Sequence, residues 1–163
     1  MDLRPYDGST DRDDLWVLKR AFERELGAGA GDQDKRDAYE GKLTPDYRDR
    51  YLDWVDRCVA DDPRTVTLAE ADGLVGYAFL LPERLAMIWD AAVLNEIYVS
   101  PSRRGTGVAD DLLAAGIDVA RSQSLPLDRL VLDVDPANDR AAAFYRRHGF
   151  RPWGEMVARP LGE

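Results

Sequence analysis

Residues 94–120 read LNEIYVSPSRRGTGVADDLLAAGIDVA, and this stretch decides the fold. The segment through Ile97 and Val99 alternates with the period of a half-buried strand. Residues 100–102 interrupt that strand, and a glycine-rich turn at residues 104–109 leads directly into an amphipathic helix. Backbone N–H groups are free at such a turn and lie at the positive end of the helix dipole. The sequence therefore predicts an anion site at this turn, with phosphate as the usual ligand.

Two common phosphate-binding motifs do not match this turn. A Walker loop needs a Lys directly after its last glycine, and no Lys follows Gly107. A dinucleotide fingerprint needs a third glycine where this chain has Asp110. A plain strand–turn–helix corner, with its glycines serving tight packing, explains the turn equally well. The turn alone leaves both interpretations open.

A second segment, residues 138–150, reads NDRAAAFYRRHGF. Together the two segments resemble the GCN5-related N-acetyltransferase family. The family's Arg/Gln-x-x-Gly-x-Gly/Ala signature is matched at Arg104, Gly107 and Ala109. Its N-x-x-A-x-x-F-Y-x-x-x-G-F segment is matched at Asn138, Ala141, Phe144, Tyr145, Gly149 and Phe150. The resemblance covers residues 94–150, and we therefore expect this family's fold.

The rest of the chain supplies the expected strands and helices. Residues 3–6 are typical of an edge strand, and two alternating segments form a hairpin around Asp72-Gly73. Further strands are expected at residues 86–90, 130–134 and 153–161. We expect an α/β fold with a mixed, mostly antiparallel sheet of about six to seven strands, with helices on both faces. The predicted order is β-α-α-β-β-β-α-β-α-β.

The expected domain organisation is a single domain over residues 1–163. Within it, residues 94–150 form the acetyl-CoA-binding core that the resemblance implies. Residues 11–60 form a variable helical region that walls the acceptor site in this family. One helix in that region is expected to end before Gly27, and another begins at Thr44, with residues 27–41 as a mobile loop between them.

The resemblance implies that acetyl-CoA is the cosubstrate. In the family, the loop amides hold its pyrophosphate, and the central strand separates from its neighbour to hydrogen-bond the pantetheine as an added strand would. One N–H of that strand then faces the thioester oxygen. Asn138 corresponds to a CoA-contacting Asn and also suits a helix cap. The expected contacts are therefore Ile97, Tyr98, Val99, Arg104, Gly105, Thr106, Gly107, Val108, Ala109 and Asn138, with no metal.

Acetyl transfer to an amine also needs proton movements. An alkylamine has a pKa near ~10.4, so a base is useful at neutral pH. Glu96 is the first candidate because strand alternation places its side chain opposite that of Ile97; a purely structural carboxylate is the alternative. Asp90 and Asp133 are weaker candidates. Tyr145 stands where many family members carry the proton donor to the CoA sulfur, and a core aromatic is its alternative role.

Two functions of different class remain open from the sequence. The first is an enzyme in which a primary amine, on a small molecule or a protein, attacks acetyl-CoA directly in a ternary complex. The second is a non-catalytic sensor or scaffold that binds acetyl-CoA or CoA. His148 is expected to act as a cation at a helix C-terminus, and Cys58 to be buried. No Cys/His/Asp set suggests a covalent acyl-enzyme.

Composition limits the partners. The 163 residues carry a net charge of −9, which argues against nucleic acid or an anionic membrane as the main partner. No apolar run approaches the ~20 residues of a membrane span, and the first residues lack the pattern of a signal peptide. One Cys and one His give neither an internal disulfide nor a metal cluster. We expect an acidic cytoplasmic protein, and the sequence leaves a homodimer open.

Overall fold

The structure, a computed structural model, describes residues 1–29 and 31–162. This part of the chain contains five strands and six α-helices, together with a short 3-10 turn at Pro101–Arg103. In chain order they are β1 (Asp2–Pro5), α1 (Arg12–Gly29), α2 (Gln33–Gly41), α3 (Pro45–Asp61), β2 (Val66–Glu70), β3 (Leu74–Leu80), α4 (Glu83–Ala86), β4 (Ala92–Val99), α5 (Val108–Ser122), β5 (Leu130–Val131) and α6 (Asp139–Arg147).

The strands form one sheet in the order β1-β2-β3-β4-β5. The first three pairings are antiparallel, and the last, between β4 and β5, is parallel. The β2–β3 hairpin turns at Asp72 and Gly73, whose φ values of 56° and 107° are those of a tight hairpin turn. The prediction of a mixed, mostly antiparallel sheet is confirmed, but the described residues form five strands rather than six or seven.

A β-bulge in β4 determines which side chains reach which face of the sheet. Leu94 pairs with Leu80 and Glu96 pairs with Phe79, so Asn95 is the extra residue. Leu94 therefore packs in the apolar cluster beneath α5, while Glu96 lies on the opposite face beside α1 and α3. Without the bulge, alternation would place Leu94 and Glu96 on the same face.

Helices cover both faces of the sheet, as predicted. On one face, α1 and α3 pack over the sheet through a core that includes Leu15, Leu52, Val55 and Phe79. On the other, α5 packs through Leu112 and Leu113, with the aromatic residues of α6 at its margin. Each helix presents an apolar stripe to the sheet, which is the usual reason that such layers are stable.

Gly76 allows β3 and β4 to lie close together. A Cβ at this position would lie 2.7 Å from the carbonyl oxygen of Tyr98, closer than real Cβ contacts permit. Only glycine therefore fits beside the strand that carries the candidate site.

The prediction of a mobile loop at residues 27–41 is wrong. Helix α1 continues to Gly29, and α2 follows after Asp32, whose side chain accepts a hydrogen bond from the N–H of Asp34 at 2.9 Å. A Cβ on Gly27 would lie 3.2 Å from the Cβ of Tyr39, so this glycine lets two helices approach and does not end one. Ala30, in the middle of the predicted loop, lies outside the described residues.

Three strand predictions also differ from the structure. Residues 86–90 form the end of a helical turn and a bend, because the backbone N–H groups of Leu85 and Ala86 both donate to the carbonyl of Pro82. The strand expected at residues 130–134 is limited to Leu130–Val131, since only these residues pair with β4. Residues 151–162 form neither helix nor strand and are exposed. A short apolar run does not distinguish strand from other structure, which explains these errors.

Candidate active site

The turn before α5 is open to an anion. Gly105 and Gly107 have φ values of 74° and 91°, and nothing lies within 4 Å of where a Cβ would stand on either. Gly107 caps α5 without any side-chain hydrogen bond, and the first intrahelical bond runs from the N–H of Asp111 to Gly107. The N–H groups of residues 108–110 therefore point out of the helix end, which suits a phosphate group.

Arg104 holds the turn against the rest of the protein. Its Nε donates to the carbonyl oxygen of Val99 at 3.0 Å, and its guanidinium pairs with Glu25 of α1 at 2.6 Å. Glu25 also accepts a hydrogen bond from Arg140 of α6 at 2.5 Å. The side chain of Arg104 thus links the turn to α1, and its backbone remains part of the open turn.

Beyond Val93, strand β4 has a free edge. Only Ala92 and Val93 pair with β5, at Leu130 and Val131, within residues 1–29 and 31–162. The remainder of β4, including Ile97, Tyr98 and Val99, pairs on its β3 side alone. The expected contacts for an extended ligand therefore lie beside an unpaired strand edge, and this edge ends at the glycine turn.

On the other face of the sheet, Glu96 lies in a buried polar cluster. Its Oε2 accepts a hydrogen bond from Lys19 Nζ at 2.7 Å, and its Oε1 accepts from the hydroxyls of Tyr51 at 2.6 Å and Tyr77 at 2.9 Å. Lys19 also pairs with Glu23 one turn along α1. We call Lys19, Glu23, Tyr51, Tyr77 and Glu96 the Lys19 cluster. Glu23 in turn lies 2.7 Å from Lys42, so two carboxylates face two ammonium groups, because buried charges need partners.

The electrostatics of the Lys19 cluster favour the charged form of Lys19. Burial by itself lowers the pKa of Lys19, but the charges of Glu96 and Glu23 outweigh that effect and hold the pKa above its ordinary value. Burial raises the pKa of Tyr51 and Tyr77 well above the ordinary value, and the charge of Glu96 adds to this. At neutral pH Lys19 is therefore an ammonium group, and the hydroxyls of Tyr51 and Tyr77 are neutral.

A cleft of about 520 Å³ leads to Glu96 from the surface of α3. Tyr51 and Glu96 both line this cleft, and both are almost fully buried. This volume lies within the range of small-molecule sites. The lining residues are Tyr47, Arg50, Tyr51, Asp53, Trp54, Arg57 and Glu96.

Tyr145 lies on the α5 side of the sheet, among Phe144 and Phe150 at ring-centroid distances of 5.4 Å and 5.5 Å. Burial raises the pKa of Tyr145 to about 12. No hydrogen bond to its hydroxyl is found in the part of the chain that the structure describes. The two candidate catalytic residues thus lie on different faces of the sheet.

The remaining candidates have local structural roles in the geometry. The side chain of Asn138 accepts a hydrogen bond from the N–H of Ala141 at 3.1 Å and so caps α6. His148 follows the last residue of α6 and lies 2.7 Å from Asp110 of α5. Burial raises the pKa of the Cys58 thiol to about 11, so it is a poor nucleophile. Asp90 and Asp133, the weaker candidates for the base, are both exposed.

Sequence reasoning missed Lys19, Tyr51 and Tyr77 as partners of Glu96. One signal was present: Lys19 follows Leu15 by one helical turn and so interrupts the apolar stripe of α1. A charged residue at such a position requires a buried partner. The partner itself, 77 positions away in the sequence, becomes visible only in the folded chain.

Membrane-spanning helices and groups of metal ligands are both absent from residues 1–29 and 31–162. No helix there combines the length and the apolar character that crossing a membrane requires. No group of three or more side chains of the His, Cys, Asp or Glu type gathers there in a way that would hold a metal ion.

The fold and the site together define a class: an α/β protein with a mixed sheet, in which strand β4 has a free edge and ends at an open anion-binding turn. A sequence model of the Acetyltransferase (GNAT) family matches residues 30–150. The chain belongs to this family.

Individual relatives agree with that assignment. The mycothiol acetyltransferase of Salinispora tropica is 40% identical over 75 residues, covering 44% of this chain and 24% of its own. The phosphinothricin N-acetyltransferase of Streptomyces coelicolor is 30% identical over 101 residues, covering 61% of this chain and 58% of its own. The chain thus spans only about a quarter of the first relative's length and less than two thirds of the second's.

A solved structure shows the same fold. The PaiA N-acetyltransferase of Thermoplasma acidophilum, in complex with coenzyme A, superposes with a TM-score of 0.70 at 19% identity. The match covers 92% of this chain and 89% of that one, so the shared fold extends beyond the two motifs.

Proposed function

We propose that this chain is an N-acetyltransferase that moves the acetyl group of acetyl-CoA to a primary amine by direct attack within a ternary complex. The acceptor is a small-molecule amine or an amine of a peptide or protein. One observation carries the proposal: strand β4 both leads into the open glycine turn and presents Glu96 to a cleft on its other side. A site for an anionic cosubstrate and a site for an acceptor therefore share one strand.

The proposed acetyl-CoA site follows β4 and the turn. The backbone of residues 104–109 holds the pyrophosphate, and the free edge at Ile97, Tyr98 and Val99 meets the pantetheine. The open space at Gly105 and Gly107 supports this assignment, since a phosphate must approach the backbone closely. Asn138 contributes from the start of α6, while it also caps that helix.

Acetyl-CoA supplies an acetyl group already activated as a thioester, and the chain must handle the protons. We assign Glu96 as the final acceptor of the amine's proton. Both of its oxygens already accept hydrogen bonds, so the proton reaches it through Tyr51, which lines the cleft and donates to Oε1. The Tyr51 hydroxyl takes the amine's proton while it passes its own to Glu96.

Tyr145 is assigned to the departing sulfur. With a pKa of about 12, Tyr145 is a weaker acid than a thiol of pKa ~8.5. Full proton transfer to the thiolate is then uphill by roughly 5 kcal/mol. Tyr145 therefore assists by donating a hydrogen bond to the sulfur as charge develops there, and a solvent proton completes the step.

The test is acetyl-CoA consumption by the purified protein with a panel of amines, at low and at molar salt. Release of free CoA thiol that depends on the amine, together with an acetylated product seen by mass spectrometry, is the expected result. Acetyl-CoA binding without thiol release for any amine would instead indicate the sensor or scaffold. We propose a cytoplasmic location. The two salt concentrations test whether the acidic composition reflects a cytoplasm of high salt concentration or only the codon preference of a GC-rich genome.

A further inference from the structure

The charge around the acceptor cleft differs from the net charge of the whole chain. The chain has a net charge of −9, yet both acidic residues that line the cleft have basic partners. Glu96 pairs with Lys19 at 2.7 Å, and Asp53 pairs with Arg12 at 3.0 Å. Each acidic side chain in the cleft wall therefore has a basic partner of its own.

The two arginines of the cleft, Arg50 and Arg57, have no strong ion pair within the described residues. Arg57 is exposed and forms no ion pair with any residue in the described ranges, 1–29 and 31–162. Among the described residues Arg50 has one ion pair, with Asp46 at 3.9 Å, and both side chains are about four-fifths exposed, so solvent screens this pair. The charge that the cleft offers to a ligand is thus positive.

Helix geometry places these arginines along the cleft. Arg50 and Arg57 are seven positions apart on α3, which puts them on the same helix face and about 10 Å apart along its axis. Tyr51, which donates to Glu96, stands next to Arg50 in the sequence, and Trp54 lies between the two arginines. Measured along the helix axis, Arg50 lies about 1.5 Å from Tyr51 and Arg57 about 9 Å from it. A ligand whose amine reaches Tyr51 therefore has both arginines within about 10 Å along the helix.

We propose that the acceptor is a small primary amine that also carries an anionic group, such as a carboxylate or a phosphonate, bound by Arg50 and Arg57. This inference rests on the proposed function and names its substrate class. A guanidinium fork matches the oxygens of such groups and binds them with charge-assisted hydrogen bonds. Trp54 and Tyr47 cover the apolar part of the acceptor, and the cleft of about 520 Å³ suits a small molecule.

The experiment compares acceptors that differ only in the distal group. γ-Aminobutyrate and ε-aminocaproate are assayed against their carboxamides, because the distant amide leaves the amine's basicity nearly unchanged. An aminoalkylphosphonate is the third anionic probe. The measurement is kcat/KM from CoA thiol release, in low salt and with wild-type protein, R50Q, R57Q, R57K and the double variant R50Q/R57Q. The matched control is R121Q, an exposed arginine of α5 on the opposite face of the sheet.

Wild-type protein is expected to favour each anionic acceptor over its carboxamide by about tenfold or more, the usual value of a charge-assisted hydrogen bond. R57Q and R50Q should reduce this ratio, the double variant should bring it near one, and R57K should retain part of it. R121Q should keep the wild-type ratio, and added salt should lower the ratio. Thermal melting verifies that all variants are folded.

Two results would overturn the inference while leaving the proposed function intact. One is wild-type protein that acetylates carboxamides as well as, or better than, the anionic acceptors. The other is an anionic preference that survives in R50Q/R57Q, because the anion would then bind elsewhere. Absence of thiol release with every amine, anionic or neutral, would remove the proposed function as well.

Discussion

Replacing Glu96 by Gln tests whether the Lys19 cluster is catalytic or only structural. The change keeps the shape of the side chain and its oxygen acceptor for Tyr51 and Tyr77, but removes the charge that faces Lys19. Glu96 is 6% exposed and Lys19 is 3% exposed, so the ammonium group cannot turn to water. Only Glu23 remains beside it.

The magnitude follows from that burial. Removing one partner of a buried ion pair commonly destabilises a protein by about 3–5 kcal/mol. Because Glu23 still compensates Lys19, the lower end of about 3 kcal/mol is expected. For a domain of this size, that corresponds to a fall in Tm of roughly 6–12 °C. Turnover should also fall at neutral pH and recover in part at high pH, where the amine deprotonates without help.

A second variant separates the two roles. K19M in combination with E96Q replaces the ion pair by a neutral pair, and Glu23 keeps Lys42 as its partner at 2.7 Å. The double variant should therefore be more stable than E96Q alone. Its turnover should stay low, since the proton acceptor is still absent. E23Q is the matched control, because it removes the other partner of Lys19 but lies outside the cleft lining. E23Q should lose stability without any recovery of kcat at high pH.

The assays are urea unfolding of all four proteins and kcat against pH from 6 to 9. If E96Q has wild-type turnover across this range, Glu96 is structural and the assignment is wrong. If the K19M/E96Q protein regains both stability and turnover, activity only follows folding, and the catalytic role fails on that result too. An E96Q protein with the wild-type free energy of unfolding in urea would refute the energetic argument itself.

The same cluster predicts a pH dependence of stability. The pKa of Lys19 is higher in the folded protein than in the unfolded chain. Its contribution is therefore complete below pH ~10.4 and lost as pH rises through the folded-state pKa. The free energy of unfolding of wild-type protein should decline above about pH 10 more steeply than that of the K19M/E96Q protein. Parallel declines would contradict this linkage.

Three further predictions concern single positions. G107V should abolish acetyl-CoA binding, measured by isothermal titration calorimetry. G73V, at a similarly positive φ of 107° in the distant hairpin, should retain it. Equal affinity of the two variants for acetyl-CoA would refute the assignment of the turn as the phosphate site. Y145F should lower kcat by at least about tenfold with nearly unchanged acetyl-CoA affinity and Tm, and a fully active Y145F protein would leave Tyr145 a packing role. G76A should cost about 1–3 kcal/mol in urea unfolding because its Cβ meets the Tyr98 carbonyl, whereas G154A, with open space around it, should be neutral. Similar stabilities for these two alanine variants would refute the close-approach argument.

Local chemistry explains why the sequence was sufficient for much of the fold. The turn before α5 needs positive φ at Gly105 and Gly107, and Thr44 and Asn138 cap the helices that follow them. Each of these signals lies within a few residues of the element it starts or ends. The alternation that placed Glu96 opposite Ile97 is also local and is observed.

Only the tertiary structure decided what surrounds Glu96 and how far each strand extends. The bulge at Asn95 depends on the pairing of β4 with β3, and the shortness of β5 depends on where it diverges from β4. Helix α2 packs against α1 because Gly27 lets the two helices approach, a contact that the sequence pattern does not encode. Lys19 meets Glu96 across 77 positions of chain. The sequence by itself determined the elements and their turns, whereas the partners of each buried charge and the free edge of β4 arise from long-range packing.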